Sequence, residues 1–463
     1  MDLVSALRLE TAQQSFAGAR RPHVISFTGG GGKTSTMRRL TGELVDRGRR
    51  VVCTSTTRLA ASEVEESPGV VWVTHARLPF DQIAAALDKH GQCLLVAPEI
   101  VEGNLPKYPG IAPGLVDELA VRAAEYGVDS VIVEADGAKM MPLKAPAEHE
   151  PSLPSTTTLL APIAGMDAMG LRIEAPLVHR PERIRKVLGL APDSDERVTP
   201  ERMAKLLISS AGGRKGLSPS SRFMPILNKA DSAPYLAGAR VAANQVTRSG
   251  TACLVASTGN REGEPVRERW GPIAVVVLAA GESKRFGRPK QLATVDGEPM
   301  IIRAANAALD VDSAGVVVVT GAHAGDVTAC LGLNLAAGVS DVRLVHNPDW
   351  ESGQATSIHA ALHAIGDEFE AALFMPVDQP LLSPVLLRKL VQLWRMGYGL
   401  AAPRVDGAVR GSPALFDRDF WPELLRIQGD VGGRSLLRRY ADGVGTVAVD
   451  GQMLIDVDTP SQI

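Results

Sequence analysis

Aromatic residues are few, only 4% of a 463-residue chain, which argues against platforms that stack unpaired bases. Neither sign of charge dominates: 49 Lys and Arg against 52 Asp and Glu leave a net charge of -3. Non-specific nucleic-acid binding needs a basic surface, so no nucleic-acid partner is expected. Cysteine is scarce, and Cys53, Cys93, Cys253 and Cys330 include no C-x-x-C pair, so neither a zinc site nor a redox dithiol is signalled. Isolated thiols suit a reducing compartment. The longest apolar run, around Ile273–Ala280, is far short of a membrane span. The first residues, MDLVSALRLETAQQSF, lack a basic stretch leading into an apolar one, so no secretory signal is expected. These absences lead to a cytoplasmic expectation with no membrane partner. The 45 Gly and 31 Pro follow no period, which excludes collagen-like and low-complexity chains.

What is present is ordinary globular composition, 45% hydrophobic and 22% charged. At roughly 100–200 residues per domain, the length suits two or three domains with separate cores. Strand-like stretches recur at His23–Phe27, Arg50–Cys53, Val70–Val73, Cys93–Val96 and Ser130–Val133. Helical patterns fall between them, from about Lys33, at Phe80–Lys89 and at Leu115–Tyr126. The Pro-rich region from Glu148 to Arg222 is less periodic and is expected to decorate the core, with helices near Pro181–Val187 and Pro200–Ile208. Phe223–Leu227 then reads as another core strand. Ser257–Pro272 is polar, carries Gly and Pro, and is expected to be a linker. After it the rhythm restarts with strands Ile273–Leu278, Gly315–Thr320, Val342–Val345, Ala371–Met375 and Gly399–Pro403. Helices are expected at Met300–Leu309, Gln354–Ile365 and Pro384–Met396. The fold class is therefore α/β, with two doubly wound, mainly parallel-sheet domains at 1–256 and 273–463 joined by 257–272.

In the first half, Thr28, Gly29, Gly30, Gly31, Gly32, Lys33, Thr34 and Ser35 lie between a strand and a helix. Successive glycines let backbone N–H groups converge on a phosphate, and the helix N-terminus adds favourable charge. Lys33 would reach the terminal phosphates and Thr34 would ligate Mg²⁺. Phe27 stands where the usual G-x-x-x-x-G-K-[ST] loop has its first Gly. The strand Val131–Val133 ends in Glu134 and Asp136, carboxylates suited to holding Mg²⁺ or its waters beside such a loop. Asn228, Lys229 and Asp231 form N-K-x-D after an apolar strand, the element whose Asp pairs with a guanine edge. Together with P-L-K-A-P at Pro142–Pro146 and H-R-P-E at His179–Glu182, these motifs resemble the YqeC family over about Ser26–Asp231. That resemblance implies a P-loop NTPase-like fold that binds GTP or ATP. It also implies a role as accessory factor to molybdenum hydroxylases, some selenium-dependent, with a hydroxylase or a sulfur or selenium donor as partner.

In the second half, Leu278, Ala279, Ala280 and Gly281 open the pattern L-A-A-G-x-S-x-R-F-G-x-x-K, which contains Arg285 and Lys290. Small residues let backbone wrap a nucleoside triphosphate, and the two cations supply the charge needed as pyrophosphate leaves. The pattern resembles the MobA/MocA nucleotidyltransferases, and more closely the MocA type, molybdenum cofactor cytidylyltransferase, on a Rossmann-like fold. By that resemblance Asp378, in M-P-V-D-Q-P, is a metal-binding aspartate, and Asp456 or Asp458, in I-D-V-D-T-P, brings a second acid to Mg²⁺ or Mn²⁺. Asn347, Gly353 and Ser357 belong to the segment lining the nucleotide and substrate cleft. Gly411, Ser412, Pro413 and Gly432 belong to acceptor-side loops. CTP is the implied substrate, since Ala280 replaces a Gly of the GTP-using L-A-G-G loop, and molybdopterin or Mo-molybdopterin is the implied acceptor. His323, and the i, i+4 pair His359 and His363, read as structural histidines rather than ligands.

Overall fold

A computed structural model of the chain describes residues 1–10, 13–14, 20–74, 77–98, 100–102, 105–192, 194–260, 262–311, 315–334 and 342–462. They form two compact units, Met1–Trp270 and Gly271–Ile463.

The main sheet of the first unit contains β1 (His23–Gly29), β2 (Val51–Ser55), β3 (Val70–Trp72), β4 (Gln92–Val96) and β5 (Ser130–Glu134). It continues with β6 (Leu159–Gly165), β7 (Ile226–Asn228), β8 (Cys253–Ala256) and β9 (Val266–Trp270). Their spatial order is β9-β8-β7-β6-β1-β5-β2-β4-β3. All neighbours are parallel except β8 and β9. The chain leaves β1 on one side and later returns on the other, so loops from β1, β5 and β6 share one carboxyl-end crevice, where α/β sheets take ligands.

Three expectations are corrected. The region Glu148–Arg222 does not merely decorate the core: it contributes β6, wholly buried and paired to β1. A strand buried on both faces shows no alternation, and Pro162 inside it reads as a breaker. The expected linker also holds β9, which closes the sheet edge against β8. Its charged residues hid it. Glu268 is 3% exposed and accepts from Arg240 Nε at 2.8 Å and from Trp270 Nε1 at 2.9 Å. Arg261 of that segment lies outside the described residues. The strand expected at Phe223–Leu227 is split into Arg222–Phe223 and β7.

In the second unit, β10 (Ile273–Ala279), β11 (Gly315–Thr320), β12 (Val342–His346) and β13 (Ala371–Pro376) are parallel, in the order β12-β11-β10-β13. The strand β15 (Ala414–Asp417) runs antiparallel between β13 and β14 (Leu400–Val405). β16 (Val444–Ala448) pairs parallel to β14. β10 first sends the chain toward β11 and the chain later returns to β13, so the switch point lies between β10 and β13. Among the described residues no helix is long and apolar enough to cross a membrane.

Candidate functional site

The first unit's loop is shaped by its glycines. Gly29, Gly31 and Gly32 have φ of 87°, 87° and 117°, and a Cβ on Gly31 would fall 2.2 Å from the Gly165 nitrogen. Gly30 is equally close-packed, with a Cβ there 2.5 Å from the Met141 carbonyl oxygen. Gly32 caps the helix Lys33–Asp46. Because β5 lies in register beside β1, Glu134 opposite Phe27, the acids at its end emerge next to the loop.

Lys33 is only 4% exposed and rests on these acids, with Nζ 3.1 Å from Asp136 Oδ1, 3.5 Å from Glu134 Oε1 and 2.6 Å from the Gly29 carbonyl. Burial opposes its charge, but Asp136 and Glu134 outweigh it and hold the ammonium above its usual range. Burial pushes the Glu134 carboxyl up to about 7, against the pull of Lys33 and with added repulsion from Glu63 and Asp136. Asp136 Oδ2 accepts the Gly29 amide at 3.0 Å. The Thr34 hydroxyl donates to Glu63 Oε1 at 2.7 Å, and Ser35 is exposed.

Asn228 is wired to the loop: Nδ2 donates to the Gly31 carbonyl at 2.9 Å, and Oδ1 accepts the Thr258 amide at 3.0 Å. The Thr258 and Thr36 hydroxyls lie 2.9 Å apart. Asp231 accepts from the Ser257 hydroxyl, and Lys229 Nζ is 2.6 Å from Asp167. Ser257 and Thr258 were missed by sequence reading, which put them in the linker. Their signal was a place directly after an apolar strand, at the same sheet end as the other loops.

In the second unit a cavity of about 930 Å³ opens beside the ends of β10 and β13. Leu278, Ala280, Gly281, Arg285 and Lys290 line it, and so do Asp378, Asp456 and Asp458. Gly353, Ser357, Gly411, Ser412 and Gly432 join them. Three expected residues do not line it. Ala279 is 2% exposed and packs with Val275 and Val277 on the opposite face of β10, because successive side chains alternate. Pro413 is buried between the lining residues Ser412 and Ala414. Asn347 is 2% exposed and acts from behind, donating from Nδ2 to Thr356 Oγ1 at 2.9 Å and Ser357 Oγ at 3.0 Å.

The loop after β10 closes on itself. Gln291 Nε2 donates to the Ala279 carbonyl at 3.1 Å and the Gly281 carbonyl at 2.6 Å, and Ser283 Oγ accepts the Lys290 amide at 3.1 Å. This aims Lys290 Nζ to 2.5 Å from Asp378 Oδ2 and 3.4 Å from Asp458 Oδ1. Arg285 Nη1 is 3.0 Å from Asp458 Oδ2. Burial, then the neighbouring Asp378 and Asp458, hold the Asp456 carboxyl above its usual range, although Gln379 donates to it at 3.0 Å. Among the described residues no three His, Cys, Asp or Glu side chains converge as a ready metal cage; in each unit a lysine meets the acids expected to hold one. Sequence reading gave no role to Gln291, whose value lies in which carbonyls it reaches. His323 and His359 are structural, bonded to the Glu282 and Leu424 carbonyls at 3.1 Å each.

Comparison with known proteins matches the MobA-like NTP transferase domain to residues 275–444 and the YqeC protein family to residues 25–182. The second unit is thus similar to a nucleotidyltransferase domain. More particularly, the chain joins a stretch that matches the YqeC protein family to one that matches the MobA-like NTP transferase domain. The first is 33% identical over 175 residues to the uncharacterized protein YqeC of Escherichia coli (strain K12), covering 38% of this chain and 64% of that protein. The chain therefore spans less than two thirds of YqeC's length. The second is 23% identical over 188 residues to the molybdenum cofactor cytidylyltransferase of the same organism, covering 41% of this chain and 92% of that one. Rv0371c from Mycobacterium tuberculosis H37Rv, in a crystal structure, is 29% identical with a TM-score of 0.36, covering 41% of this chain and 95% of that one.

Proposed function

We propose that the second unit transfers CMP from CTP to the phosphate of molybdopterin or Mo-molybdopterin and releases pyrophosphate. The observation that carries this reading is the L-A-A-G loop and Lys290, set with Asp378 and Asp458 in one large cavity at the sheet's switch point. The acceptor phosphate oxygen attacks the α-phosphorus, and the bond to the β-phosphate oxygen breaks. A phosphate is already nucleophilic, so catalysis is positioning and charge neutralisation. Lys290 and Arg285 would shift from Asp378 and Asp458 to the departing pyrophosphate. Asp378 and Asp456 or Asp458, which line one cavity, would hold a divalent cation, Mg²⁺ or Mn²⁺, once Lys290 leaves Asp378 and Asp458. Such an ion, when bound, supplies charge neutralisation at the phosphates.

The first unit, on this reading, binds GTP or ATP on its glycine loop and hydrolyses it in service of the same cofactor, with a molybdenum hydroxylase or a sulfur or selenium donor as partner. A nucleotide-switched chaperone is a second reading. It draws on Lys33, which must leave its own acids before it can meet a phosphate.

Titration calorimetry of the intact chain with CTP, GTP and ATP plus Mg²⁺ tests both halves. One equivalent of CTP and one of GTP or ATP should bind independently. With molybdopterin as acceptor, CTP should be used well above GTP. Equal turnover with GTP would overturn the cytidylyl reading in favour of a MobA-like guanylyltransferase, and transfer only to sugar phosphates would place the unit elsewhere.

A further inference from the structure

Two motifs singled out in the sequence, P-L-K-A-P and H-R-P-E, have no part in the chemistry above, yet the fold brings them together beside the glycine loop. Lys144 and His179 form a backbone bridge, with the His179 amide donating to the Leu143 carbonyl at 2.9 Å. The Lys144 side chain is 1% exposed. Its ammonium meets Asp136 Oδ2 at 2.9 Å, Glu150 Oε2 at 2.7 Å and the Gly137 carbonyl at 2.7 Å. Glu150 in turn accepts from Arg180, with Nη2 at 3.0 Å from Oε1, and from the Ala147 amide at 3.2 Å. Charges alternate along one path: Lys33, Asp136, Lys144, Glu150, Arg180.

Asp136 is the member both lysines share. Its Oδ1 lies 3.1 Å from Lys33 Nζ and takes no hydrogen bond among the described residues, while Oδ2 takes Lys144 and the Gly29 amide. Lys33 is also the group a triphosphate would draw away. Once it leaves, Lys144 is, among the described residues, the remaining cation on a carboxylate only 2% exposed. A buried charge without a partner is strongly unfavourable, so Lys144 decides whether Lys33 can leave at all.

We propose that Lys144 is the positioning residue of this loop: it holds Asp136 against the Gly29 amide and thereby releases Lys33 for the terminal phosphate of a nucleoside triphosphate. The inference rests on reading the first unit as a nucleotide site.

The test uses the intact chain with fluorescent N-methylanthraniloyl GTP and ATP and their diphosphates. Lys144→Met should weaken triphosphate binding by about tenfold or more, the scale of a charged hydrogen bond, with diphosphate binding changed by less than about threefold. Lys144→Arg should keep the wild-type ratio. Asp136→Asn removes the charge both lysines hold, so adding Lys144→Met to it should leave the ratio almost unchanged. If Lys144→Met does not fold, Glu150→Gln, which loosens Lys144 but keeps its charge, should give a smaller loss in the same direction. Equal weakening of tri- and diphosphate, or full additivity with Asp136→Asn, would show a merely structural lysine and overturn the proposal. A wild-type chain that binds neither triphosphate defeats the nucleotide reading and the proposal with it. Wild-type binding with an unaltered ratio in Lys144→Met defeats the proposal alone.

Discussion

Both units set a lysine among acids at the carboxyl end of a central parallel strand, but one cluster is closed and the other open. In the first, Lys33 is 4% exposed and its partners Asp136 and Glu134 are 2% and 12% exposed. In the second, Lys290 and Asp378 are 17% and 18% exposed and Asp458 is 39% exposed, beside a cavity of about 930 Å³. The difference teaches what burial demands. In the closed cluster every charge needs a fixed partner, and a second rank of residues, Lys144, Glu150 and Arg180, supplies them. In the open cluster water does part of that work, and the loop needs only Gln291 and Ser283 to aim its lysine. The closed cluster must rearrange to admit a phosphate; the open one already faces its cavity.

The sharpest way to break this comparison is Asp378→Ala. If the open cluster does electrostatic work, cytidylyl transfer should fall at least about a hundredfold, the scale seen for single electrostatic groups, with melting little changed. A wild-type rate would reduce Asp378 to a turn residue. Next in size is Lys33→Ala. Loss of a charged hydrogen bond should weaken GTP or ATP binding in the first unit roughly 10–150-fold. Cytidylyl transfer should be untouched, as calorimetry and product assay on the same preparation can show. If both fall together, the clusters are one system rather than two. The smallest effect concerns protonation. Glu134 titrates at about 7 when folded and at 4.5 as a free carboxyl, so the unfolded chain releases its proton first as pH rises. Stability should therefore fall across that window and stay low above it. Glu134→Gln removes the penalty and should raise the first melting transition by several degrees near pH 8, with no gain near pH 4. An equal gain at both pH values would mean that packing, not charge, is at stake.

Much of this was legible along the chain. Helices at Pro200–Ile208, Met300–Leu309 and Gln354–Ile365, and the strand Gly315–Thr320, sit where periodicity places them. The two glycine- and lysine-bearing loops were legible because each follows an apolar strand within a few residues. Strand β6 was not, because burial on both faces erases alternation. Nor was β9, whose buried Glu268 is met by Arg240 from an earlier helix as well as by Trp270 within the strand.

By itself, then, the sequence determined the α/β class, the two signature loops and the residue types each would offer, since propensity, glycine conformation and motif spacing are local properties. Only the tertiary structure decided which carboxylates each lysine meets, that Ala279 turns from the cavity while Ala280 faces it, and that Lys144 and Arg180 stand behind the glycine loop. Those outcomes depend on strand order and register, which bring together residues tens of positions apart and which no local pattern encodes.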